Sequence, residues 1–460
     1  MKTTFKRLPL CAALALFFSA PLAFGQTITT SSTPDAVLQR MEQMSAELQQ
    51  LRAEVLQLKA AQNKTDATAT QANAAAVQAQ AEVQTAVATL SGGGLKLGGL
   101  GGIGGSSTVL TGYGEINYNR YPKNPSATQA DARRIVLGVQ HRFNDQTKFV
   151  GEFEWEHAVT SASDKGETAI EQAYIEHQLT PALAVRGGLF LVPAGLLNEN
   201  HEPSAYYGVE RNFVETSIIP STWREGGAML IGTTDQGITW KAGLTTGFDL
   251  TKWDSNSGEG KASPLRSIHQ ELQLAKARSL SVLGAVDWRG VPGLLLGGSI
   301  FSGEAGHGSL VNTLGMAVDA KPRVTIWDLH ARWTPGKWDL AAVYARGTIS
   351  DTAKLNTNFA ADPTPIPASF DGGYVQAAYN VWRSGDYKLT PFARYERFAT
   401  AKSYAAFPTG LGRASDPYER VATVGASFQL APGVVIKSDY QTFAVNKLNN
   451  RFNLGLGWSF

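Results

Sequence analysis

The chain has 460 residues, with 41 lysines and arginines against 39 aspartates and glutamates. A balance so close to zero gives no footing for nucleic acid, whose phosphates call for a basic excess. Beyond the N-terminus no run approaches about 18 uninterrupted apolar residues, which excludes a membrane-crossing helix. The 47 glycines and 10% aromatic residues instead suit many short strands joined by turns.

Lys2, Lys6 and Arg7 form a basic start, an apolar run from Leu8 to Ala20 follows, and Ala23-Phe24-Gly25 offers small residues for cleavage. Residues 1–25 read as a signal peptide, with Gln26 the first residue of the mature chain. Cys11, the one cysteine, departs with that segment, so neither disulfides nor thiolate metal sites are expected.

Residues 26–90 form the next segment, an expected periplasmic oligomerisation segment in which 33–90 reads as a helix. Thr33 suits an N-cap, Pro34 the first helical position and Asp35 the positive end of the helix dipole. Val37, Met41, Met44, Leu48, Leu51, Val55 and Leu58 then recur at spacings of four and three, the seam of a coiled coil. Ala69, Ala72, Ala76, Ala79, Val83, Ala86 and Leu90 continue it more weakly, interrupted by Gln62 and Thr65. For 59–90 an Ala/Gln-rich disordered linker is the competing reading. The seam does not choose between dimer and trimer. Residues 91–107 contain Gly99-Leu-Gly-Gly-Ile-Gly104, a literal G-x-G-x-x-G. It lacks the preceding strand and following helix of a dinucleotide site, so it reads as a flexible linker.

From about Thr108 the pattern changes to a period of two. Ile135, Leu137, Val139 and Phe143 oppose Arg134, Gln140 and Arg142; Phe149, Phe153 and Trp155 oppose Lys148, Glu152, Glu154 and Glu156. Sixteen such segments are expected, starting near 110, 133, 148, 168, 182, 225, 236, 279, 293, 323, 338, 372, 386, 418, 433 and 450. Tight turns at Asn144-Asp145, Asp235-Gln236-Gly237, Pro292-Gly293, Pro335-Gly336, Ser384-Gly385 and Pro432-Gly433 alternate with long connections. Short turns at one end, long loops at the other and an even strand count predict a 16-stranded antiparallel transmembrane β-barrel over 108–460, preceded by the coiled coil. In the last strand, Leu454, Leu456, Trp458 and Phe460 would face lipid while Asn453 and Ser459 face a wet interior. Phe143, Trp155, Trp288 and Trp333 would join the interfacial aromatic girdles.

Together these features resemble the phosphate-selective porin O/P family of Gram-negative outer membranes. The likeness is most specific in "GGLFLVPAGLLNENHEPSAYYGVERNFVETSIIPSTWREGG", residues 187–227. It implies a cell-outer-membrane location, a homotrimer, a periplasmic coiled coil and a long third loop folded into the pore. The terminal Phe460 is similar to the signal read by the barrel-assembly machinery.

Sixteen strands leave a lumen too wide for side chains to fill, so water must occupy it. Loop 193–224 is the expected constriction, formed by His201, Glu202, Tyr207, Glu210, Arg211, Glu215 and Arg224. Arg211 and Arg224 would draw anions, whereas Glu199, Glu202, Glu210 and Glu215 would draw cations. Alternatively, Glu210 and Arg211 bind the wall and hold the loop's shape. Strand parity puts Arg134, Arg142, Lys148, Arg186, Lys241, Arg332, Lys388, Arg394 and Lys437 on the lumen wall. Glu115, Glu152, Glu154, Glu156, Glu176, Asp287, Asp339, Glu396, Glu419 and Asp439 share it, and the run 152–156 departs from a basic phosphate ladder.

The expected function is passive diffusion of small hydrophilic solutes, with the resemblance pointing to anions such as phosphate. The alternative is a general or carbohydrate-type porin whose coiled coil tethers the envelope, with peptidoglycan as anchor. Membrane lipid is the other expected partner. An enzyme is not expected: G-x-S-x-G is missing and the seven histidines are scattered. No cofactor is implied, and His201 beside Glu202 is too small a set to hold a metal.

Overall fold

A computed structural model describes residues 107–460 apart from 162, 255–257, 312–315, 359–364 and 406–416. The segments expected to be a signal peptide, a coiled coil and, up to residue 106, a glycine linker lie outside the described residues.

The strands are β1 Ser107–Arg120, β2 Gln129–Arg142, β3 Thr147–Glu156, β4 Glu167–Thr180, β5 Leu183–Leu191, β6 Arg224–Thr233, β7 Ile238–Thr245 and β8 Ser281–Val291. They continue as β9 Leu294–Glu304, β10 Arg323–Trp333, β11 Trp338–Ile349, β12 Ser369–Tyr379, β13 Tyr387–Ser403, β14 Glu419–Ala431, β15 Val434–Phe443 and β16 Arg451–Ser459. A short segment, Trp382–Ser384, prolongs β12, since both pair with β13. Sixteen staves result, each antiparallel to its neighbours. The sheet closes where β1 meets β16, with Tyr113 opposite Ser459. There Gly112 N donates to Phe460 O at 3.0 Å and Phe460 N to Gly112 O at 2.8 Å. Closure pairs the edge amides that an open sheet would leave bare.

The period of two sets what each face meets. In β16, Leu454 is 42% exposed and points outward, whereas Asn453 is fully buried on the inner side. The outer surface carries Leu137, Trp155, Ile300, Leu329, Val375 and Val424 in the same way. An apolar belt around the whole girth is far beyond what a water-soluble surface exposes.

The two ends differ as the turn chemistry predicts. Gly237, Gly293, Gly336, Gly385 and Gly433 all have positive φ, between 58° and 81°, which lets the chain reverse within a few residues. At the opposite end the connections are long. One of them, 192–223, runs into the barrel instead of away from it. Another, 246–280, packs Phe248, Leu250, Leu265 and Ile268 into a small core against Trp223 and Phe301.

Candidate functional site

The inward loop is held by the lumen wall through named hydrogen bonds. Wall carboxylates accept loop amides: Val209 N donates to Asp439 at 2.7 Å and Phe213 N to Glu396 at 2.6 Å. Loop phenols donate to wall carboxylates: Tyr206 to Glu115 at 2.7 Å and Tyr207 to Asp339 at 2.8 Å. Lys437 donates to Gly208 O at 3.0 Å and lies 3.7 Å from the centre of the Tyr206 ring. This contact also explains the glycines of β16. A Cβ on Gly455 would meet Val209 at 3.0 Å, and one on Gly457 would meet Pro203 at 2.5 Å. Only bare backbone lets the loop lie so close.

Two expected constriction residues serve instead as anchors. Glu215 is buried and accepts bonds from Leu196 N (2.5 Å), Leu197 N (2.8 Å), Asn212 Nδ2 (2.7 Å) and Tyr374 Oη (2.9 Å). A carboxylate with four donors has no oxygen left for a passing ion. His201 is wedged against the wall: its Nε2 lies 2.7 Å from Tyr113 Oη and 3.5 Å from Glu171 Oε1, and its Nδ1 2.9 Å from Asn198 O. Both are drawn out of the aqueous path by partners that the strand pattern did not reveal. Glu202 stands half-buried just before the 3₁₀ turn Pro203–Ala205.

The others border open space. On the long-loop side of the inward loop lies a cavity of about 340 Å³, lined among others by Glu210, Arg211 and Arg224. Glu210 accepts from Asn119 at 3.1 Å; Arg211 donates to Ser221 at 2.6 Å and Thr222 at 3.0 Å; Arg224 pairs with Glu271 at 2.9 Å. On the short-turn side a cavity of about 160 Å³ touches Tyr207, Arg332, Asp339 and Lys388. Tyr206 borders both.

Pairing dominates the charges on the wall. Arg134 meets Glu115 at 2.7 Å, Arg332 meets Asp339 at 2.6 Å and Arg394 meets Glu396 at 2.7 Å. Lys148 and Arg186 share Glu176, at 2.8 and 2.7 Å, and Lys241 pairs with Glu199. Lys437 is buried under the loop, and Arg142 stands exposed at the short-turn end. The larger cavity is likewise mixed, with six arginines and seven glutamates on its walls.

Sequence parity missed two of these charges because β-bulges shift it. In β2 the register skips Arg133, so Arg133 and Arg134 both line the larger cavity. In β4 it skips Glu171, which turns inward between Tyr113 and His201 while Ile170 stays outside. The signal was present as adjacent polar residues, Arg133-Arg134 and Glu171-Gln172, inside otherwise alternating strands. Loop 246–280 supplies four more cavity groups, Glu259, Arg266, His269 and Glu271, with no periodic pattern to mark them. Burial pushes the His269 imidazole down to about 4, with Glu271 pulling the other way.

No protein-family model matches the chain. It is 31% identical over 363 residues to an uncharacterized protein of Aquifex aeolicus (strain VF5), spanning 76% of this chain and 79% of that one. The chain belongs to the family of that Aquifex aeolicus protein. Among solved structures, the chain is similar to Salmonella typhi OmpF in complex with daunomycin, at 12% identity and TM-score 0.52. That likeness covers 77% of this chain and 98% of OmpF. It is also similar to the outer membrane channel DcaP of Acinetobacter baumannii, at 13% identity and TM-score 0.50, over 79% and 100% of the two chains. At such identities the likeness shows the fold: a porin-type β-barrel.

Proposed function

We propose that the chain is an outer-membrane porin through which small hydrophilic solutes diffuse passively, and that its pore has little built-in preference for phosphate. The observation that carries this reading is the paired wall. Of the eight basic lumen residues other than Lys388, six hold a carboxylate within 4 Å. Neutralised arginines offer a transiting anion no run of open cationic sites. The apolar girth supports a membrane setting, and the short-turn end would face the periplasm as in other barrels of this kind. In this reading the solute route joins the two cavities beside Tyr206. The N-terminal rod would add oligomerisation or an envelope tether; a homotrimer remains part of the proposal.

A second reading, an anion channel that includes phosphate, draws on the O/P resemblance over 187–227 and on Arg211 and Arg224 at the larger cavity. Planar-bilayer recording separates the two. In a KCl gradient the proposed pore gives a reversal potential near zero, and millimolar phosphate leaves the chloride current unchanged. A strongly anionic reversal potential together with block by phosphate overturns the first reading in favour of the second. Replacing Tyr206 by Ala should raise single-channel conductance if the route passes it; an unchanged conductance places the route elsewhere.

A further inference from the structure

The short-turn cavity differs from the rest of the inner wall in what it leaves free. Its charged lining residues are Arg332, Asp339 and Lys388. Asp339 is already engaged: Arg332 donates to it through Nε at 3.0 Å and Nη2 at 2.6 Å, and Tyr207 through Oη at 2.8 Å. Lys388 is left over. Among the described residues no carboxylate pairs with it, and its ammonium donates to no protein group.

The register sets Lys388 in a square of polar side chains. On β13, Lys388 and Thr390 share the inner face; on β14, Gln429 stands opposite Lys388 and Ser427 opposite Thr390. Cross-strand neighbours lie roughly 5 Å apart and alternate residues roughly 7 Å along a strand, about the span of one sugar ring. The hydroxyls of Thr390 and Ser427 have no hydrogen-bond partner among the described residues, and both residues line the cavity. Gln429 gives Nε2 to Asp386 O at 3.0 Å and keeps Oε1 as an acceptor.

The inward loop roofs this square. Tyr207 stacks on Phe392, ring centres 6.0 Å apart, while its phenol is held by Asp339, so the roof is fixed. Ser204 brings a further hydroxyl from the same loop.

We propose that this square binds a monosaccharide carrying one carboxylate, a sugar acid of the uronate type. The carboxylate meets Lys388, and the ring hydroxyls exchange hydrogen bonds with Thr390, Ser427 and Gln429. One ammonium matches one carboxylate in charge, whereas a phosphate dianion would find no second free cation and no guanidinium fork. A neutral sugar would leave the ammonium unanswered, and a plain carboxylate would leave the hydroxyls so. The cavity lies on the solute route beside Tyr206, so the inference rests on the pore proposed above and names a class of solute for it.

The test is planar-bilayer recording of the full chain in KCl, with glucuronate, glucose, acetate or inorganic phosphate added on both sides. Glucuronate should interrupt the current with a half-saturating concentration at least tenfold below those of the other three. K388Q should raise that concentration at least tenfold, and T390V/S427A should bring it to the level of acetate. K337Q, on the turn before β11, should leave it unchanged. Currents in KCl alone check that each variant is folded. Equal potency of glucose or acetate overturns the proposal, as does stronger block by phosphate or an unchanged half-saturation in K388Q. KCl currents that glucuronate leaves untouched defeat this inference alone; the lack of any KCl current defeats the pore beneath it.

Discussion

The outer and inner faces of the same strands obey different rules. On the outer face, Leu454 and Leu456 are about two-fifths exposed and form no hydrogen bond through their side chains, so each contributes mainly through its own area. On the inner face, Tyr113, Glu171 and His201 form one unit, and Glu215 collects four donors. One face is a sum of independent terms, the other a network. Substitutions should therefore be mild and additive outside, and severe and coupled inside.

The largest expected effect is at Glu215. Glu215→Ala strips the acceptor from four donors at once, and buried donors left unpaired cost about 1–3 kcal/mol each. Partial relaxation brings the total to roughly 5 kcal/mol. Thermal unfolding in detergent should register it, and the freed loop should raise single-channel conductance severalfold. A variant with unchanged conductance and melting point would remove the network picture of the loop.

His201→Ala comes next. It leaves Glu171 buried beside Tyr113 without its cation, a loss of about 3–5 kcal/mol for a broken buried pair. Adding Glu171→Gln should recover part of that loss, because the uncompensated charge disappears. Strict additivity of the two single losses contradicts the coupling.

Loop 246–280 allows a pH version of the same contrast. His269 has a folded-state pKa of about 4, below its unfolded value near 6.5. Above pH 6.5 neither state binds the proton, so docking is at full strength. As pH falls from 6.5 towards 4, only the undocked loop takes up the proton, and docking weakens by up to about 3 kcal/mol. Tryptic cleavage after Lys252, Lys261 and Arg266 at pH 7 and 5, with the protease rate corrected, should show faster cutting at the lower pH. His269→Gln should flatten the difference.

The same contrast governs what could be read from the sequence. The barrel was legible nearly strand by strand, because lipid and water impose a period of two and glycine marks the tight turns. The inward loop was legible as a segment, since 193–224 is long and does not alternate. The roles of its residues were not. Nothing local distinguishes Glu215, tied to Tyr374 some 159 positions away, from Glu210, which borders the cavity. Glu171 and Arg133 were hidden by bulges, each adding one residue and so inverting the parity on which the inner face is read.

Lys148→Gln should have the smallest effect, and it sharpens the contrast most. Its side chain is 44% exposed, and its partner Glu176 keeps Arg186, which donates through Nε at 3.0 Å and Nη2 at 2.7 Å. An exposed lysine whose carboxylate has a second, two-pronged cation contributes little, well under about 1 kcal/mol. Its loss should move the reversal potential by only a few millivolts, about the scale of screened charge at a wide mouth. Arg186→Gln, by contrast, removes the two-pronged cation and leaves Glu176 only the single ammonium of the exposed Lys148. If Lys148→Gln changes selectivity as much as Arg186→Gln does, then proximity to water, not membership of a network, decides what an inner-wall charge is worth.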